Sequence, residues 1–343
     1  MKRINIVAWH NGGGLSRDIE ILLSALDHSD FEVHVNGAPM AEAPVRRQRI
    51  VHRAANLAFA WRHRRQLAAS PYDINVFLED ISPEFFSFAR ANTFIPNPEW
   101  FRRYQRLFLR GIDVVLCKTH DAQDTFNALG SRTRLVSFTS ADRRDTAASH
   151  RPQPGFLHVA GRSWQKGTRA LIDAWLRHPD WPLLTVVQNA KTYAQAPVKP
   201  VDVPNIRHVL QRLDDAELQA LQNTYSIHLC PSEAEGFGHC IAEAMSCGAV
   251  TLTTDAPPMN ELITPQRGIL VKYHRMQRQR AGANYYVDPA DLERKIEAIL
   301  QMDETTRRAL GQHARDWYEE NDRAFRAQLI SALDKVLAGR ATR

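Results

Sequence analysis

The chain predicts an α/β fold of two doubly wound parallel-sheet halves, and three observations carry that prediction. Strand-length apolar runs alternate with helix-length amphipathic runs, the alternation restarts near residue 156, and no short repeat or low-complexity tract interrupts it. The 343 residues suit two ordinary domains.

In the first half, 4–9 reads as a strand, 16–27 as a helix, 31–35 as a strand, 50–68 as a helix and 74–78 as a strand. Residues 114–117 and 134–138 read as further strands around a helix at 121–129. Charged, small and proline residues without apolar period follow from 142 to 155. The predicted boundaries are therefore a first domain over 1–145, a linker over 146–155 and a second domain over 156–320. In the second domain, 156–160, 183–187, 206–210, 226–230 and 250–254 read as strands. Residues 168–177 read as a helix, and so do 214–223, which open on Asp214 and Asp215 as suits a helix N-terminus. After Gly268 to Val271 a polar, Arg-rich loop is predicted through Ala283, then helices at 289–301, 305–320 and 323–337. The last stretch, 321–343, is expected to pack back toward the first domain.

Hydrophobic content of 44% and charged content of 24% are those of a globular chain in water. No run reaches eighteen apolar residues, and 1–10 has too short an apolar core for a signal peptide, so a cytoplasmic protein is expected. Cys117, Cys230, Cys240 and Cys247 show no CxxC spacing and lie in or beside apolar segments, which predicts reduced, mostly buried thiols rather than structural zinc. The net charge of +6 suggests an anionic partner, and its placement is uneven. Arg46, Arg47, Arg49, Arg53, Arg62, Arg64 and Arg65 crowd one predicted helix. A second cluster, Arg102, Arg103, Arg106 and Arg110, is interleaved with Trp100, Phe101, Tyr104, Leu107 and Phe108. Such segments suit an anionic membrane surface or a solvated face over a core stripe, and the sequence leaves both open.

The densest chemistry lies in 231–248. Its pattern is strand, glycine-punctuated loop, short helix, then Gly248 at the left-handed position past the helix end. Glu235 and Glu243 fall eight positions apart across that loop. Ionised carboxylates accept hydrogen bonds only, so they suit polyols such as a sugar or a ribose. The plainer alternative makes Glu235 a helix cap and puts Glu243 on a solvated face. The string Pro231-Ser232, then Glu235-Gly236-Phe237-Gly238, then Glu243 completing E-x7-E, then Ala244-Met245 and Gly248, resembles the retaining glycosyltransferases of family 4. That resemblance implies the GT-B fold, in which two Rossmann-like domains face across a cleft. It implies that Glu235 holds donor-sugar hydroxyls and supports the reacting centre, and that Gly236 and the backbone N–H groups of Phe237 and Gly238 orient sugar and phosphate. Glu243 would hold ribose hydroxyls.

Arg162 and Lys166, in the loop 161–167, follow the second domain's first strand. A planar fork and a compact charge beside helix N–H groups suit a diphosphate. The resemblance gives these two cations that role during catalysis. Residues 12–14 are a triple glycine, but Arg17 and Val35-Asn36-Gly37 oppose a dinucleotide fingerprint there. The resemblance instead lets Gly13 and Gly14 bring backbone close to donor phosphate or acceptor, with Ser16 and Arg17 at the mouth. It places the donor base near Leu210 to Leu213, read largely through backbone groups, and matches Glu261 to an acidic position before two apolar residues. Acceptor candidates are Asn97, Glu99, Lys118 and His120; many relatives place a histidine facing the reaction centre in the region of 78–81 and 95–100, where this chain has no equivalent.

The expected activity is transfer of a sugar from a nucleotide diphosphate sugar to a glycan or glycolipid, in cell-surface polysaccharide or lipopolysaccharide synthesis. No metal, cofactor or nucleic-acid partner is expected, and the expected place is the cytoplasm or the inner face of a membrane. A soluble acceptor and a silent nucleotide-sugar-binding subunit remain alternatives.

Overall fold

The computed structural model describes residues 1–8, 14–36, 70–146, 153–190 and 203–341. They divide into two compact units, Met1–Phe138 with Arg323–Arg343, and Thr139–Asp322.

The first unit is built on β1 (Lys2–Val7), β2 (Phe31–Asn36), β3 (Tyr72–Leu78), β4 (Ala89–Ile95), β5 (Val114–Cys117) and β6 (Thr133–Leu135), which pair in the order β2-β1-β3-β4-β5-β6. Every pairing is parallel. Parallel strands covered on both faces read as near-continuous apolar runs, and Ile4, Ile6, Ile74, Phe77 and Leu116 are accordingly buried. Buried asparagines cross the sheet as an amide ladder: Asn5 Nδ2 donates to Asn75 Oδ1 at 2.7 Å, and Asn75 Nδ2 to Asn92 Oδ1 at 2.8 Å. Each buried amide thereby finds a partner. Helix α1 (Gly14–Leu26) buries Leu15, Ile19, Leu22 and Leu26, spaced three and four apart as one helical face requires. Helix α2 (His120–Ala128) is capped by Thr119, whose Oγ1 accepts the Ala122 N–H at 3.1 Å.

Strand β4 was not predicted. Arg90, Asn92 and Thr93 hide its apolar alternation, and its polar groups are satisfied only by neighbours: Thr93 Oγ1 donates to the Asn75 carbonyl at 3.0 Å, and Asn92 closes the ladder. The second basic cluster forms a 3-10 helix, Arg103–Gly111, in which Gln105 is the buried residue and Leu107 is exposed. The first cluster, with the helix predicted at 50–68, lies outside the described residues.

The second unit holds β7 (Phe156–Gly161), β8 (Leu184–Gln188), β9 (Ile206–Val209), β10 (Ile227–Cys230), β11 (Val250–Thr254) and β12 (Ile269–Val271), in the order β12-β11-β10-β7-β8-β9. These pairings are parallel as well. Helices α3 (Thr168–Arg177) and α7 (Pro289–Gln301) cover a core of Phe156, Trp175, Leu184, Leu229, Leu252 and Ile296. Helix α4 (Asp215–Thr224) starts at a reciprocal capping box, Asp214 with Glu217, both bonds 2.8 Å. Helices α5 (His239–Ser246) and α6 (Met259–Leu262) follow β10 and β11. The strand order reverses between β7 and β10, so loops leaving their carboxyl ends diverge and open a crevice there.

Two further expectations are corrected. The predicted Arg-rich loop is an antiparallel hairpin, β13 (Tyr273–Gln279) with β14 (Gly282–Val287). Its Arg, Gln and His residues are polar on both faces, so no alternation signals a strand. The two helices predicted at 305–320 and 323–337 are one, α8 (Glu304–Ala341), because neither Gly nor Pro stands between them. Its residues to Asp322 belong to the second unit and those from Arg323 to the first, where Phe325, Leu329 and Leu333 are buried. Among the described residues no helix is long and apolar enough to cross a membrane.

Candidate active site

Two loops at the reversal point of the second sheet bring two of the predicted donor-side residues, Lys166 and Glu235, together. The loop after β7 ends at Gly167, whose φ is +69°; a Cβ there would lie 2.0 Å from the Pro231 carbonyl oxygen. Glycine alone permits that approach. It seats Lys166 against the loop after β10, where its Nζ forms an ion pair with Glu235 Oε1, the two side chains 15% and 8% exposed. Ser232 Oγ donates to the same carboxylate at 2.6 Å, and Cys240 Sγ lies 3.5 Å from the ammonium and 3.6 Å from the carboxylate. The second loop is fixed in turn: Thr254 Oγ1 donates to the Ser232 carbonyl at 2.6 Å, and the Glu233 N–H to the Gln165 carbonyl at 2.8 Å.

Burial alone would make Lys166 easier to deprotonate, but Cys240 and Glu235 hold it above the usual lysine value. The hydrogen bond with Cys230 lowers the Cys240 thiol; burial raises it and the Lys166 charge lowers it again. Glu233 is pushed up to about 7 by burial, against the pull of Arg275. Arg162 is exposed at the start of the first loop, and Trp164, which the sequence reading passed over, is 53% exposed between the two cations.

Glu243 lies on α5 and is fully buried, which excludes the solvated-face alternative. Gln222 Nε2 donates to its Oε2 at 2.9 Å, Ser140 Oγ to its Oε1 at 3.4 Å, and Arg143 Nε stands 3.9 Å from that oxygen. Arg143 also pairs with Asp215 at 2.7 Å. Ser140, Arg143 and Gln222 were missed, because Ser140 and Arg143 lie about a hundred positions away in sequence and no local pattern links them to the motif. Glu235 is not the cap of α5; Gly238 takes that position with φ +113°. Phe237 is buried with its ring edge-on to His239 at 5.7 Å, and His239 Nδ1 is 3.1 Å from Ser140 Oγ. Gly236 and Glu261 are half-buried, and Leu213 packs on Leu157, Val187 and Tyr225.

In the first unit, Asn97 and Lys118 meet beyond the carboxyl ends of β4 and β5. Lys118 Nζ donates to Asp18 Oδ2 at 2.5 Å and to Asn97 Oδ1 at 3.0 Å, and lies over the Phe138 ring at 4.6 Å. Asn97 Nδ2 donates to Glu79 Oε2 at 3.2 Å. Glu79 follows β3 at φ +61°, and burial raises its carboxyl above the usual range. Neither Asp18 nor Glu79 was predicted as a site residue, although an acid directly after an apolar strand was a usable signal for Glu79. Glu99 is buried in the 3-10 turn Pro98–Trp100, and His120 is exposed at the first position of α2. Gly14 opens α1 and is exposed, Ser16 and Arg17 are half-buried on it, and Gly13 lies outside the described residues.

Residues 142–317, more than half of the 343, match the family described as glycosyl transferases group 1. The chain belongs to that family. The donor-side candidates of this group 1 glycosyltransferase from Arg162 to Glu261 fall in the matched stretch, and its acceptor candidates fall outside it. It is 25% identical over 189 residues to the GDP-mannose:cellobiosyl-diphosphopolyprenol alpha-mannosyltransferase of Xanthomonas oryzae pv. oryzae (strain PXO99A), covering 52% of this chain and 50% of that one. The chain spans about half the length of the curated relatives it matches. Among solved structures, sucrose-phosphate synthase from Thermosynechococcus elongatus superposes with a TM-score of 0.74 at 16% identity, covering 99% of this chain and all of the other. Anabaena Alr3699/HepE, in complex with UDP and glucose, gives 0.68 at 16% identity over 98% and 100%. With two parallel six-stranded sheets, these likenesses give the GT-B fold that the sequence predicts.

Proposed function

We propose that this group 1 glycosyltransferase moves a hexose from a nucleoside diphosphate sugar to a saccharide carried on a polyprenyl diphosphate or similar glycolipid. The proposal includes retention of configuration and needs neither metal nor cofactor. The observation that carries it is the Lys166–Glu235 pair at the reversal point of the second sheet, with Arg162 exposed on the same loop. A cation that stays charged while nearly buried is suited to a departing diphosphate, because its charge acts where little water screens it. Arg162 adds a bidentate fork from the solvent side. Glu235 accepts donor-sugar hydroxyls once the diphosphate takes over part of the Lys166 charge. The N–H groups of Phe237 and Gly238 orient sugar and phosphate. Glu243 receives ribose hydroxyls where Ser140 now donates a hydrogen bond of 3.4 Å. The resemblance to family 4 supports retention, and the name of the Xanthomonas relative supports GDP-mannose as the first donor to try.

The test is labelled transfer from GDP-mannose and UDP-glucose to a polyprenyl diphosphate saccharide, with the product anomer read by NMR. Arg162→Ala and Glu235→Ala are each expected to lower turnover by about a hundredfold or more, and chelators to leave it unchanged. Wild-type turnover in both variants would remove the site assignment. An inverted product would remove retention. Transfer to a soluble sugar phosphate instead would establish the soluble-acceptor alternative, and donor binding without transfer the silent subunit.

A further inference from the structure

We infer that the β13–β14 hairpin is a docking arm for an anionic lipid surface. It leaves the carboxyl end of β12, the same sheet edge on which the donor loops lie. Two bonds from one side chain tie it to the donor loop after β7: Gln165 Nε2 donates to Gln279 Oε1 at 2.9 Å and to Asn284 Oδ1 at 2.8 Å. The Tyr285 N–H donates to the Glu233 carbonyl at 2.7 Å, which ties β14 to the loop after β10. The arm is anchored through β14, which buries Val287 in the core and Asn284 beside it, whereas six of the seven β13 residues are exposed and the last is half-buried. A two-stranded hairpin is marginal by itself in water, and burial of β14 holds this one while leaving the outer face of β13 with no packing role.

Its chemistry selects the partner. Residues 272–287 contain Lys272, Arg275, Arg278 and Arg280 and neither Asp nor Glu, and all four cations are exposed. With them stand Tyr273, 44% exposed, and Met276, 51% exposed. Met276 is paired with Tyr285, and the Tyr273 and Tyr285 rings meet edge-on at 5.0 Å, which makes an exposed aromatic and thioether patch between cations. Arg275 lies over the Tyr286 ring at 3.9 Å. Tyrosine and apolar groups enter the headgroup boundary while cations meet anionic headgroups, and that combination distinguishes a lipid surface.

The inference extends the glycolipid reading but does not depend on donor or acceptor, since the test vesicles carry neither. The full chain is sedimented with phosphatidylcholine vesicles, with and without roughly one-third phosphatidylglycerol, across a salt series. Binding to the anionic vesicles alone, weakening with salt, is expected. Arg278→Gln with Arg280→Gln is expected to lower that affinity by about tenfold or more, and Met276→Ser by a smaller factor. Thermal unfolding with and without a nucleoside diphosphate reports that fold and donor site are intact. If the double variant melts early, Arg278→Gln alone carries the comparison. Absence of wild-type binding, undiminished binding by the hairpin variants, or an equal loss with Arg103→Gln and Arg106→Gln would each overturn the inference. So would variants that change self-association by light scattering while lipid binding stays. Transfer to a soluble acceptor analogue is expected to be the same in hairpin variants and wild type, which separates failure of this inference from failure of the proposed activity.

Discussion

Lys166 and Glu235 stand 69 positions apart in sequence and make one ion pair between adjacent loops. Removing either charge leaves the other nearly buried and uncompensated, which costs several kcal/mol in comparable pairs. Glu235→Gln keeps the shape, the Ser232 hydrogen bond and an oxygen for the ammonium. It removes the charge but keeps the contact, so it is expected to lose less stability than Lys166→Ala while losing activity to a similar degree, as unfolding midpoints and turnover measured side by side would show. Two buried histidines set a different residue-scale expectation. His158 Nδ1–H donates to the Leu229 carbonyl at 2.7 Å, and His228 Nε2–H to the Gln222 and Tyr225 carbonyls at 3.0 and 3.1 Å. Burial lowers both from 6.5 to about 4. As pH falls below 6.5 the unfolded chain takes up these protons first, so the stability they contribute is full above 6.5 and lost on the way to 4. Between pH 7 and pH 5 the loss is about 2 kcal/mol per histidine. Glu233, raised to about 7, acts in the opposite sense: stability it contributes at low pH is lost as pH rises toward 7. Urea midpoints of wild type, His158→Gln and His228→Gln at the two pH values isolate the histidine share. An unchanged pH slope in both variants would contradict it.

At the level of elements, the two donor loops depend on one close approach. Gly167→Ala places a Cβ against the Pro231 carbonyl and requires a positive φ, so the loops must separate. A stability loss on the order of 1–3 kcal/mol is expected, with a larger loss of donor binding, because Lys166 can no longer reach Glu235 from a displaced loop. A nucleotide titration that matched wild type would show that the approach does not matter. The same scale explains where reading the sequence failed. Strands such as β1 and β10 were legible because burial on both faces writes itself as apolar residues. Strand β4 was not, because Asn92 and Thr93 are buried through bonds to Asn75 that only pairing reveals. The β13–β14 hairpin was not, because an exposed strand imposes no pattern on its side chains.

Over the whole molecule, the chain's last helix belongs to both units. Phe138 and Phe325 pack with ring centroids 4.9 Å apart inside the first unit, beside buried Leu329 and Leu333. Phe325→Ala is expected to destabilise by about 3–5 kcal/mol. Deleting 323–343 should uncover the first unit's core, read as dye binding to exposed apolar surface and a lowered melting temperature. A truncated chain that melted like wild type would refute that account.

The sequence by itself determined two parallel α/β halves, the strand, glycine loop and helix carrying Glu235 and Glu243, and the cationic loop of Arg162 and Lys166. These are local signals, in which apolar runs set strands, and glycines set turns. The tertiary structure decided which charges meet. It paired Lys166 with Glu235, enclosed Glu243 with Ser140, Arg143 and Gln222, and joined Asn97 and Lys118 to Asp18 and Glu79. Such partners lie from tens to a hundred residues apart, and no sequence period records them. Strand order brings them together, and low-dielectric burial then makes each pairing energetically necessary.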